Sequence, residues 1–250
     1  MTPDTAPQTP LDFGARSPWS AMAALVFACI ALATAAIVAV MAGALYFHLG
    51  NHFAGDQITM TNTMLATAVL QAVTIAFVWW GAARFGGTRQ QVLSLPANLP
   101  LSTLLFGVAG MVGILAPYNL AIYLLWPAEF AQDLRPYADL AQSSAIWLGA
   151  LVLVVGAPLW EETLFRGFLL PALTKTRHGF RGAAVITTLA WTAMHYGYSS
   201  TSLIEILMIG CYFSWLMWKF GNLWLTIALH ALYNGLQLLI LAFVPASLAG

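Results

Sequence analysis

Six residues of this chain combine types and spacing that suit hydrolytic chemistry. Glu161, Glu162 and Arg166 interrupt the otherwise apolar run AIWLGALVLVVGAPLWEETLFRGFLL. Ionisable groups inside a membrane span are expensive, and they mark functional sites or buried pairs. Glu162 and Arg166 stand four residues apart, so they can pair along one helical face. Glu161 is rotated by about 100° from Glu162 and is not absorbed by that pair. Two adjacent carboxylates exceed what one arginine neutralises, which argues against a purely structural ion pair.

Two further polar stripes fall on apolar segments. In WTAMHYGY, Trp191 and His195 share a face, and in LWLTIALHALYNGLQLLI, His230 and Asn234 do so. Interhelical hydrogen bonding is the structural reading of the second stripe, because lipid offers polar groups no partner. Counted from the basic ends of their segments, all of these residues lie at a depth of roughly 14–21 Å. A shared layer on independent helices points to one water-accessible cavity. A carboxylate beside a histidine can activate water as a general base, and a histidine with a carboxamide can hydrogen-bond a developing oxyanion. Glu161, His195 and His230 would equally make a His₂Glu set for zinc with a position left for water. That set then needs a separate base, and Glu162, the neighbour available, is committed to Arg166. The metal-free reading is therefore preferred over zinc. Neither a G-x-S-x-G elbow nor an H-E-x-x-H pair is present.

The elements that must hold these residues are membrane spans. The chain has 250 residues, 60% hydrophobic and 7% charged, with a mean hydropathy of +0.80. A soluble domain is about a quarter charged, so the apolar surplus must face lipid. Net charge is zero and no basic block invites nucleic acid. Cys29 and Cys211 sit in apolar runs and form no metal or disulfide pattern. The expected fold is an all-α polytopic transmembrane bundle of about seven spans, over residues 19–47, 60–83, 101–127, 145–167, 182–197, 203–218 and 222–246. The fifth and sixth are short, and one of them is a candidate re-entrant segment. Residues 1–18 read as a mobile tail, 19–140 as amino-terminal spans and 141–250 as the catalytic bundle. The connection 128–144 reads as a solvated loop, with an interfacial helix as the alternative. His48, His52 and His178 read as interfacial or loop residues. Glu205, near the outer end of the sixth span, is expected to reach the interface and is not assigned to the site.

Three motifs in order carry a resemblance. Glu161-Glu162-Thr163-Leu164-Phe165-Arg166 resembles the E-E-x-x-x-R motif of the CAAX protease and bacteriocin-processing (CPBP, or Abi) family. Trp191-Thr192-Ala193-Met194-His195 resembles its aromatic-x-x-x-His motif, with Trp191 where the family most often has Phe. His230-Ala231-Leu232-Tyr233-Asn234 resembles its H-x-x-x-N/D motif. The resemblance covers about residues 145–246. It implies an intramembrane endopeptidase acting on a membrane-associated protein or peptide, of either a metalloprotease or a glutamate type. The eukaryotic branch removes the last three residues of prenylated CAAX proteins. By carry-over Glu161 and His195 activate the water, His230 and Asn234 hold the oxyanion, and Glu162 and Arg166 orient the site helix. Other readings are a non-catalytic immunity or scaffold protein that retains the motifs, and a proton-coupled transporter. The lack of a two-half repeat weakens the transporter. Size and compactness suggest a bacterial inner membrane, where a prenylated substrate is not expected. The partners expected are membrane lipid and the substrate.

Arg16, Arg84, Arg89, Lys175, Arg177, Arg181 and Lys219 fall on one side of the expected spans, and Arg135 alone falls on the other. Positive charge is retained in the cytoplasm, so the amino terminus is expected inside and Gly250 outside. A reporter fused after Gly250 should read as extracytoplasmic, and a cytoplasmic readout would mean that the crossings are miscounted by one.

Overall fold

The computed structural model describes residues 13–14, 16–49 and 55–243. The described residues form no strand, and eight helices carry the architecture: α1 (Ala21–Leu49), α2 (Gly55–Ala82), α3 (Leu101–Leu125), α4 (Pro127–Ala141), α5 (Ile146–Leu173), α6 (Gly179–Ala193), α7 (Ser200–Phe220) and α8 (Leu223–Phe243). The protein is a polytopic helical bundle. His52 and most of the expected tail lie outside the described residues. Within 13–18 of that tail, Phe13 and Ser17 are buried.

α1 and α2 pair through small residues. Ala24, Ala28, Ala31, Ala35, Ala39 and Gly43 are buried along one stripe of α1. A Cβ on Gly43 would come within 3.1 Å of Asn62 Oδ1. Small side chains let the two backbones approach, which is how helices gain packing where lipid removes the hydrophobic drive between them.

α5 is the central element. Of its most apolar stretch 56% is buried, against 17% for α3, which faces outward. It is also irregular. Two π segments, Leu151–Gly156 and Thr163–Leu169, flank the α-helical Ala157–Glu162 that bears both glutamates. π turns widen a helix and recur at functional sites. In the first, Ala157 N–H bonds to Val152 O, five residues back. Pro158 comes next and has no N–H, so Leu153 O loses its five-back donor. Asn234 Nδ2 of α8 replaces it at 2.8 Å. Gln71 Nε2 of α2 likewise donates to Val152 O at 3.1 Å.

Of the seven expected spans, six described helices are long and apolar enough to cross a membrane. The exception is α6, with 15 residues. At 1.5 Å per residue it reaches about 22 Å, short of a hydrocarbon core of about 30 Å. The loop after it runs on to α4, where Ser199 N–H bonds to Asp133 Oδ1 at 3.0 Å. The connection expected as a solvated loop is instead the helix α4. Pro127 fits its first turn, where a missing N–H is harmless, and Glu129 follows in that turn. Phe130, Leu134, Tyr137 and Ala138 recur at helical spacing and turn inward to the bundle.

The ends of the helices sort into two faces. At one, Arg16 Nη1 donates to Ser94 Oγ (3.3 Å), Leu223 N–H to Ser94 O (2.8 Å) and Asn222 Nδ2 to Asn98 O (3.2 Å). Phe13 meets Phe180 edge-on there, with centroids 5.6 Å apart. At the other, α4 binds the start of α7 through Asp133 and through Glu129, which accepts from Thr201 Oγ1 at 3.1 Å. At the first face Gly221, at φ 55°, ends α7 in the left-handed region and lets α8 begin two residues later.

Gly156 tests the irregular backbone. A Cβ there would lie 1.9 Å from Gln71 Oε1. The glutamine would have to swing away and give up its bond to Val152 O, which keeps its donor Ala157 N–H, so the loss is that of one hydrogen bond, about 0.5–1.5 kcal/mol. Gly156→Ala and Gln71→Leu should each lower the thermal midpoint in detergent. Combined, they should cost little more than one alone, since both remove the same bond. Full additivity would show that the bond is not what the glycine protects.

Candidate active site

α5, α6 and α8 bring the six sequence-selected residues to the middle of the bundle. Glu162 and Arg166 are completely buried and pair through Arg166 Nη1 and Glu162 Oε1 at 3.0 Å. The guanidinium lies 4.3 Å from the centroid of Trp191 and 5.7 Å from that of Phe213, a cation–π sandwich. Its Nε and Nη2 find no hydrogen-bond partner among the described residues. Gly210 makes room for it, because a Cβ there would stand 3.1 Å from Nη2.

Glu161 points the other way, as the 100° rotation requires. Its Oε2 accepts the indole N–H of Trp191 at 2.5 Å and faces His230 Nε2 at 4.0 Å. The opposite nitrogen of that ring, Nδ1, lies 3.1 Å from Glu162 Oε1. His230 therefore bridges the two adjacent carboxylates. The Glu161 side chain keeps 9% of its surface exposed, whereas Glu162 keeps none.

The expected partnership of Glu161 with His195 takes a different form. No ion pair or hydrogen bond joins them among the described residues. His195 Nδ1 lies 2.9 Å from the carbonyl of Trp191, one turn earlier on its own chain. That contact fits a proton on Nδ1 and leaves Nε2 as the second ring atom. The His230–Asn234 stripe is split as well. Asn234 spends one amide N–H on Leu153 O and keeps the other.

His195, His230 and Asn234 line one cavity together with Trp191. It holds about 810 Å³ of empty space, its open mouth included. Glu161 lies just behind this wall, between Trp191 and His230. The outer half of the cavity contains groups the sequence reading did not select. Glu205 is buried rather than interfacial, with Oε1 accepting from Asn119 Nδ2 (2.5 Å) and Tyr233 OH (2.8 Å). Gln237 Nε2 donates to the same tyrosine oxygen at 2.9 Å. Glu205, Tyr212 and Phe213 all face inward from α7, and that face is the signal in sequence that would have drawn Glu205 in. At the rim Tyr137 and Tyr198 share a hydrogen bond. Burial pushes both phenols above their ordinary range, and Tyr198 pushes Tyr137 further up while the hydrogen bond with Tyr137 offsets part of the rise in Tyr198, so both stay neutral donors and acceptors.

The zinc alternative requires three ligands to converge. Among the described residues no three His, Cys, Asp or Glu side chains form a group able to hold a metal ion. His230 is placed between two carboxylates, and His195 hangs from a backbone carbonyl on the far side of Trp191. The side chains in this arrangement do not fit the expected zinc set.

A family model described as type II CAAX prenyl endopeptidase, Rce1-like, matches residues 143–236, a stretch that contains all six residues. An uncharacterized 24.3 kDa protein of Escherichia coli is 33% identical over 132 residues, which cover 50% of this chain and 59% of that protein. The chain thus spans 59% of the length of the curated relative it matches. No solved structure matches. Residues 143–236, from the last turn before α5 to the middle of α8, are thus similar to the Rce1-like type II CAAX prenyl endopeptidases, in keeping with the resemblance that the three motifs carry.

Proposed function

We propose that this protein is an intramembrane endopeptidase that hydrolyses a peptide bond of a membrane-associated protein or peptide. The observation that carries the reading is the placement of Glu161. Its carboxylate is oriented by an indole donor, paired with a histidine and left partly open beside a polar cavity, in a layer where lipid would otherwise forbid it. In this reading Glu161 takes a proton from water entering between Trp191 and His230. His195, held through Nδ1, uses Nε2 to steady that water. The hydroxide adds to the carbonyl carbon, and the negative charge passes to the carbonyl oxygen. His230 and the second N–H of Asn234 donate to it. The proton held by Glu161 then goes to the leaving nitrogen as the C–N bond breaks. Glu162 and Arg166 touch no substrate and act through His230 and the helix. A scaffold or immunity protein would keep the fold and would tolerate Glu161→Gln without loss of function.

Three substitutions separate these roles. Glu161→Gln keeps the shape and removes the base, so turnover should fall by about 10²–10⁴ while the protein accumulates normally. Trp191→Phe keeps the ring over Arg166 and removes only the N–H. One charge-assisted hydrogen bond is worth about 1.5–3 kcal/mol, so a smaller loss of turnover is expected. Arg166→Ala strands Glu162 in an apolar core at a cost of about 3–5 kcal/mol, so membrane levels should drop along with activity. Normal levels and full activity of Arg166→Ala would remove it from the site, and full activity of Glu161→Gln would remove the peptidase reading itself.

The reaction as proposed needs no metal. Purified active protein should contain far less than one zinc per chain and should keep its activity through strong chelation. Stoichiometric zinc, with activity lost on stripping and regained on its return, would overturn the metal-free route.

A further inference from the structure

The two faces of the bundle differ in charge and in access, and together these say from where a substrate arrives. One face collects Arg16, Arg84, Arg89, Lys175, Arg177, Arg181 and Lys219. The loops that carry them are joined by the contacts of Ser94 with Arg16 and Leu223 and of Asn222 with Asn98. The site cavity does not open there. Its wall beyond His230 and Trp191 is built from α4, the first turn of α7 and the late turns of α3 and α8, all at the opposite face. The mouth is fixed by side chains that hold α4 and α3 onto α7. Asp133 of α4 accepts from Ser199 N–H and from Ser202 Oγ (2.6 Å), and Tyr118 OH of α3 donates to Thr201 O at 2.7 Å. Arg135 is the single lysine or arginine on that face.

Basic loops stay on the cytoplasmic side. We infer that the cavity receives its substrate from the extracytoplasmic side, as a peptide segment of an exported or membrane-anchored protein. This rests on the peptidase reading for the word substrate, but not for the side. The chemistry of the mouth agrees with a peptide. Hydroxyl, carboxamide and carboxylate groups line it and can meet backbone amides. No lysine or arginine lines it, so a neutral or cationic segment is favoured over an anionic one. The side of entry separates this reading from one in which a cytoplasmic protein is trimmed at the same carboxylate.

Cysteine accessibility tests it on the full chain in native membranes. Cys29 and Cys211, both exposed on the helices, are replaced by alanine. Single cysteines are then introduced as Ser202→Cys and Gln237→Cys in the cavity wall and as Arg177→Cys on the basic face. A membrane-impermeant maleimide should label the two cavity cysteines in intact cells and lose them in inside-out vesicles, with the reverse for Arg177→Cys. Should Ser202→Cys disturb the α4–α7 contact and fail to accumulate, Gln237→Cys gives the same readout from α8. Cavity labelling confined to inside-out vesicles, or absent from both preparations, overturns the proposal. Labelling reads access and not turnover. An inactive protein labelled from outside would therefore defeat the peptidase and leave the side of entry standing, and an active protein labelled from inside would do the opposite.

Discussion

A guanidinium and two adjacent carboxylates packed among lipid-embedded helices have no water to satisfy them, so every compensating contact must come from the protein. The arrangement around α5 follows from that demand. Arg166 takes Glu162 at 3.0 Å and spreads its remaining charge over the faces of Trp191 and Phe213. Glu161 is left over, and it draws a donor from α6 and a histidine from α8. Three helices that lipid alone would not hold together are joined through one charge cluster. Gly210 is part of the same solution, since a Cβ on α7 at that point would press on Thr188, Trp191 and the guanidinium together.

The backbone of α5 is bent to the same end. The π segments on either side of Ala157–Glu162 set where the two glutamates project. A widened turn followed by Pro158 exposes carbonyls that a regular helix would have satisfied. Asn234 supplies the missing donor to Leu153 O from α8, and Gln71 of α2 adds a second donor to Val152 O. Asn234 therefore has a duty to the fold that is independent of any oxyanion. It still retains a second N–H at the cavity wall, so its two hydrogens serve the two tasks separately.

How much of this was legible in the sequence depends on the physics behind each signal. Charge in a span is so costly that Glu161, Glu162, Arg166, His195, His230 and Asn234 stood out without any structure, and so did the long apolar runs of α1, α2, α3, α5, α7 and α8. What stayed hidden was signalled weakly or not at all. α4 is a third polar and contains Pro136, which masked an amphipathic helix as a loop. α6 stops after 15 residues and continues as a loop to α4, and apolar length alone does not show that. Glu205 sits near a span end, where escape to the interface is the ordinary expectation. It is held inside because Asn119 and Tyr233 come from other helices, and no local pattern reveals such partners. The π turns have no compositional mark beyond Gly156 and Pro158. The pairing of histidines with carboxylates was likewise beyond reach, because it depends on which way each ring turns.

Trp191 shows how a departure from a motif can carry its own chemistry. A phenylalanine at that position would give Arg166 an aromatic face, but it has no hydrogen-bond donor. The indole adds an N–H, and the structure spends it on Glu161 Oε2. The same residue offers its backbone carbonyl to His195. One side chain and one carbonyl thus set both groups expected to handle water, while its ring screens the Glu162–Arg166 pair from the cavity. Neighbouring carboxylates with the same intrinsic acidity acquire different roles when their surroundings differ. Glu162, sealed against a guanidinium and a histidine, is suited to hold geometry. Glu161, anchored by one oxygen and open at its edge, is suited to move a proton. The boundary between these two environments is the plane of Trp191.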